Sequence, residues 1–207
     1  MNEVLVPPGR FGRWVENFSV RHGEAALQVA DGALTGTATD GSTFAGRLPF
    51  GASYDGAVEV GAFVAAAVPP QEWGVLLVRK GGFAVARLRL DTLAEHKIGQ
   101  RHVQGRTKAG GQSQQRFARR RDNQARQAYQ AAADHAALIL GERAVPVVTG
   151  GDRGAVDEVL ADPRLRRVVV TGPWLAVPDP RRAVLDQAVA DALSIRVTVR
   201  NAAPGGD

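Results

Sequence analysis

Five consecutive residues, Gly110-Gly111-Gln112-Ser113-Gln114, are the part of this chain best suited to chemistry. Two adjacent glycines open backbone conformations closed to other residues and let the chain approach another backbone closely. Glutamine offers a donor and an acceptor but no titratable proton. It cannot act as a general base. A reaction here would run by placing a water molecule and stabilising developing charge. Hydrolysis of an activated ester, inside an RNA site that supplies the other groups, fits that description. Taken alone, the same five residues also suit a plain surface loop.

Other residues with chemical potential are scattered. The absence of cysteine excludes disulfides, thiolate zinc sites and cysteine nucleophiles. His96 and His102 stand too far from other ligands to hold a metal, and His22 and His135 read as structural or exposed. Thr149-Gly150-Gly151-Asp152-Arg153-Gly154 matches neither the dinucleotide nor the Walker pattern and reads as a strand-to-helix turn. Trp14, Phe18 and Trp73 read as core residues, not base-stacking platforms. No metal and no cofactor are expected.

Charge singles out the same region as the glycines. Nine of the 26 basic residues and one of the 21 acidic residues fall between Lys97 and Arg126. That segment carries +8, and the remainder, with 17 basic and 20 acidic residues, carries −3. Such local concentration is the footprint of a polyanion partner, whereas a merely solvated helix mixes both signs. Arginine supplies 23 of the 26, which suits RNA through bidentate phosphate contacts and stacking, although a GC-rich genome also favours arginine.

These residues need elements to position them. The chain of 207 residues, 44% hydrophobic, is long enough for one large domain or a domain with a small N-terminal module. No apolar run approaches the ~20 residues that cross a bilayer, and no basic-then-apolar leader begins the chain. A soluble cytoplasmic monomer is expected. Phe11, Trp14, Val15 and Phe18 have helical spacing, with a stop at Gly23. Ala25–Ala30 and Ala33–Thr39 flank the hairpin signal Asp31-Gly32, and Thr43–Phe50 and Ala57–Val68 read as further strands. Pro69-Pro70 is the candidate boundary.

Beyond it, Trp73–Arg79, Phe83–Leu90 and Thr92–His102 form an antiparallel meander. Val103–Gly111 follows as a mobile loop. A helix is predicted over Ser113–Leu140, with Phe117, Ala125, Ala128, Ala132, Ala136 and Ile139 on its apolar stripe, Arg121 interrupting that stripe and Gly141 ending it. Val145–Thr149 and Arg167–Thr171 read as strands, Gly154–Leu160 and Pro180–Leu193 as helices, and Ile195–Arg200 as a last strand. This order predicts an α/β (α+β) fold with a ribonuclease-H-like mixed sheet over 71–200. An N-terminal helix and β-rich region over 1–70 precedes it, and a disordered tail over 201–207 follows.

One resemblance joins these readings. Gly110-Gly111-Gln112-Ser113, with Arg116-Phe117-Ala118-Arg119 two residues later, resembles the catalytic loop and following helix of the eukaryotic and archaeal class I peptide chain release factors. It extends over roughly Trp73 to Arg200. The chain is too short to hold those factors' codon-reading and partner-binding domains as well. It resembles the smaller Vms-like release factor (VLRF) group, in particular its actinobacterial branch. There the motif is usually Gly-x-x-Gln, a spacing that Gly111-Gln112-Ser113-Gln114 also satisfies. Gln112 fits the first register and Gln114 the second.

The resemblance implies a peptidyl-tRNA hydrolase that acts without a codon, in ribosome rescue. Its loop, with Gly110 and Gly111, would enter the peptidyl transferase centre of the large subunit. A glutamine would hold water against the ester joining peptide to tRNA. Arg106, Lys108, Arg116, Arg119, Arg120 and Arg121 would hold RNA phosphates. The alternative is a non-catalytic ribosome- or RNA-binding module, which explains the charge but not the glycines with glutamine. A nuclease would need carboxylates converging on the central strands; Val75–Arg79 has none, and Asp91 and Asp134 form no set.

Overall fold

The computed structural model describes residues 2–100, 112–141 and 144–202, with the backbone alone at 100 and 112–125. In chain order the elements are β1 (Asn2–Val6), α1 (Pro8–His22), β2 (Ala25–Ala30), β3 (Ala33–Ala38), β4 (Thr43–Arg47), α2 (Val60–Ala65), β5 (Glu72–Arg79), β6 (Gly82–Arg89), β7 (Thr92–Gln100), α3 (Gln112–Leu140), β8 (Pro146–Gly151), α4 (Arg153–Leu160), β9 (Val169–Val170), α5 (Arg182–Ala192) and β10 (Ile195–Arg200). The predicted loop Val103–Gly111, which holds Arg106, Lys108, Gly110 and Gly111, lies outside the described residues, as do 203–207 of the predicted tail. Two compact units form, one from Met1–Pro69 with Ala190–Asp207, the other from Pro70–Val189.

The first unit is an antiparallel sheet in the order β1-β10-β4-β3-β2. Phe11, Val15 and Phe18, one face of α1, pack with Leu34, Phe44, Ile195 and Val197 from the sheet, as the helical spacing predicts. Trp14 stacks on Phe18 with ring centroids 5.7 Å apart and joins that core. Three expectations need correction. Ala57–Val68 is not a strand: Val60, Phe63 and Val64 have helical spacing, alanine favours a helix, and Phe63 is fully buried from α2. The strand predicted through Phe50 stops at Arg47, because Pro49 starts a short 3-10 turn. The last strand, which the order along the chain assigns to the ribonuclease-H-like sheet, pairs with β1 and β4 instead. β1 carries too short an apolar run to be foreseen and exists as β10's partner. Ala202 belongs to this unit too, its N–H donating to Ser42 Oγ at 3.0 Å.

The second unit is a mixed sheet in the order β7-β6-β5-β8-β9. β5, β6 and β7 form the predicted meander, and β8 and β9 run parallel to β5. β9 has two residues where five were predicted, Arg167–Thr171. Residues Trp73–Val78 are buried one after another, as expected of a central strand covered on both faces. Trp73 is fully buried and its Nε1–H donates to the Leu90 carbonyl at 2.6 Å, which confirms its core role.

The strand-to-helix turn after β8 depends on one glycine. Gly151 sits at φ 104°, and a Cβ there would lie 2.3 Å from the Val78 carbonyl oxygen. Gly151→Ala is therefore expected to lower stability by ~3 kcal/mol through left-handed strain and overlap with backbone. Gly154→Ala, with Asp152 Oδ1 at 3.7 Å as its nearest neighbour, should be neutral or slightly stabilising. Chemical denaturation of both variants checks this, and equal losses would refute it.

Candidate functional site

α3 is the element that presents the candidate residues. It has 29 residues, about 43 Å at 1.5 Å per residue. It starts at Gln112, one residue earlier than predicted, so Gln112, Ser113 and Gln114 belong to its first turn and not to the preceding loop. Helical periodicity places positions 116, 119 and 120 on one side, and 114 and 121 together on another.

The described anchoring lies towards the other end. Among the described side chains of α3, the buried ones are Ala128, Tyr129, Ala132, Ala133, Ala136, Ile139 and Leu140; Arg126 and Gln127 are exposed. The small alanines let the helix sit close on Leu76, Val78, Phe83 and Val85 of β5 and β6. Four of the six predicted stripe residues are thus core. Phe117, Ala125 and the interrupting Arg121 lie outside the described side chains. His135 stacks on Phe83 near the start of β6, and a Cβ at Gly74 would lie 2.5 Å from Leu140, so α3 runs along β6 in the same direction. Sixteen helical residues, about 24 Å of axis, precede Ala128, the first buried side chain among those described.

The helix enters at the end of the sheet where the parallel strands β5 and β8 finish, the end where open α/β sheets place ligands. Arg79, Lys80, Asp152 and Arg153 lie there. Arg79 donates to the Val177 carbonyl at 2.9 Å and pairs with Asp179 at 3.3 Å. Arg153 stacks over Trp174, 4.4 Å from the ring centroid. Burial, reinforced by Asp152 and Glu158, pushes the Tyr129 hydroxyl pKa up. No local pattern signals these pairings, because each joins residues far apart along the chain.

A further clamp holds the anchored half of α3. Arg164 donates to Asp134 of α3 and to Asp162, each at 2.6 Å. Arg164 accordingly lowers both carboxyl pKa values, that of Asp162 from 3.8 to about 2. The pKa is lower in the fold than in the unfolded chain. The carboxylate therefore stabilises the fold above about pH 3.8, and that contribution fades as pH falls through about 2. An NMR titration should place the Asp162 midpoint near 2, and Arg164→Ala should return it towards 3.8. An unchanged midpoint in that variant would dismiss the clamp.

Among the described residues no group of three histidine or acidic side chains converges. Asp134 is held by Arg164, Asp91 accepts from the adjacent Thr92 hydroxyl, and His96 lies 3.2 Å from Arg182. His22 pairs with Asp40 at 2.9 Å. No helix among the described residues is long and apolar enough to cross a membrane.

No curated protein matches the chain. One family model does, over residues 71–198, which begins just before β5, takes in the whole mixed sheet with α3, and ends within β10. That model describes the Actinobacteria/chloroflexi VLRF1 release factor, and the chain belongs to this release-factor family.

Proposed function

We propose that this release factor is a peptidyl-tRNA hydrolase, acting in the cytoplasm as a monomer on stalled ribosomes or large subunits and independently of a codon. The observation that carries the reading is the Gly-Gly-Gln-Ser-Gln run at the very start of a helix whose first described buried side chain is sixteen residues on. A long helix whose described anchoring lies in its later turns can carry its first turn into a narrow RNA cavity while the sheet stays outside. In this reading Gly110 and Gly111 bring backbone close to the tRNA 3′ end. Gln112 or Gln114 then holds the attacking water and the developing oxyanion. Arg106, Lys108, Arg116, Arg119, Arg120 and Arg121 neutralise phosphates of ribosomal RNA and tRNA.

The test is peptide release from large subunits carrying peptidyl-tRNA and no message. Wild type should free the peptide in a single-turnover assay. Tight binding without release would instead identify a non-catalytic RNA-binding module.

A further inference from the structure

The first unit has a charged surface that the release reading leaves unused. One face of its sheet is core. By cross-strand register, the opposite face carries Arg47 of β4, Arg196 and Arg200 of β10, Thr37, Thr43 and Thr198, and the acid Glu3 of β1. Among its described residues this unit has six basic and eight acidic ones, a net −2, yet this face holds three of the six and one of the eight. The other three arginines, Arg10, Arg13 and Arg21, are exposed on α1, which packs on the core face.

Within the fold Arg47 donates from Nη1 to the Asp31 carbonyl at 2.8 Å, yet its pairing with Arg196 carries a repulsion that this bond does not remove. Arg47 and Arg196 stand directly opposite each other across β4 and β10, a like-charge pairing that costs stability. Among the described residues Arg196 Nε is buried without a hydrogen-bond partner and forms a long ion pair with Glu3 at 3.8 Å. Arg200, exposed four residues along the same strand, extends the row by about 13 Å. A bound polyanion lying against the exposed Arg47 and Arg200 would relieve the repulsion between Arg47 and Arg196. The threonines add hydroxyl donors, and no aromatic residue on this face offers a stacking platform for bases.

We infer that this face docks an RNA phosphodiester backbone without regard to sequence, as a second contact separate from α3. Only the identity of the RNA, that of the large subunit, rests on the proposed function. The probe is protein-free large-subunit RNA, which carries no ester, so a protein that binds without releasing peptide leaves the inference standing. An Arg47→Gln/Arg196→Gln/Arg200→Gln variant of the full chain should bind this RNA at least tenfold more weakly. Its salt dependence should drop by about two phosphate contacts. An Arg10→Gln/Arg13→Gln/Arg21→Gln variant, with the same charge change, should stay within twofold of wild type. Should the first triple variant fail to fold, Arg47→Gln/Arg200→Gln, which alters two exposed side chains, should still weaken binding threefold or more. Affinity within twofold of wild type on the sheet face, or an equal loss from α1, overturns the inference. So does a loss seen on assembled subunits but not on free RNA, which would assign the face to a ribosomal protein.

Discussion

A Gln112→Ala/Gln114→Ala double variant is expected to release peptide at least ~100-fold more slowly than wild type while binding large subunits equally well. The size follows from what one well-placed neutral donor contributes to an oxyanion, roughly 10²–10³ in rate. Glutamine has no proton to give or take between pH 5 and 9. The residual rate should therefore keep the pH dependence of wild type, whereas losing a general base would flatten the profile. Alanine favours helix more than glutamine does, so α3 should persist. The single variants decide between the registers: the glutamine that does the work should carry nearly the whole loss, and its neighbour less than fivefold. Rapid quench on pre-bound complexes separates this from binding. Wild-type release by the double variant would remove both glutamines from the mechanism.

How much of this was legible in the sequence depended on the range of the forces involved. β5 and β6 could be read from Trp73–Val78, a buried run, and from Lys80-Gly81-Gly82 between two apolar stretches, since both signals are local. The alanine stripe of α3 from Ala128 to Ile139 was legible for the same reason. Val60, Phe63 and Val64 show helical spacing, but the Ala-Val composition of 57–68 satisfies a strand pattern too, and only the burial of Phe63 decides between them. β10 was found as a strand, but its sheet could not be read. A strand's partners are set by tertiary contact, and Ile195 and Val197 complete a core nearly 150 residues away in sequence. The candidate site divides likewise. Gly110 to Gln114 and the arginines after it are contiguous and therefore visible. The Arg164 clamp and the Arg47–Arg196 pairing exist only once distant segments meet.

Charge, unlike the glutamine amides, should act on binding and not on chemistry. An Arg116→Gln/Arg119→Gln/Arg120→Gln/Arg121→Gln variant is expected to bind large subunits ~100-fold or more weakly at 0.15 M salt. Glutamine and arginine have similar helix propensity, and the nearest described buried side chain of α3, Ala128, is seven residues beyond Arg121. Loss of affinity should then reflect charge and not unfolding, which unchanged thermal melting would show. If all four arginines neutralise phosphates, the slope of log affinity against log salt should fall by about 3, at ~0.7 to 0.9 per contact. Arginines that merely solubilise the helix would leave the slope alone. Saturating the variant should restore most of the release rate, because phosphate contacts position the protein while the glutamines act on the ester. A variant that keeps the wild-type salt slope, or one whose release rate stays low at saturation, would show that these arginines do something other than hold RNA.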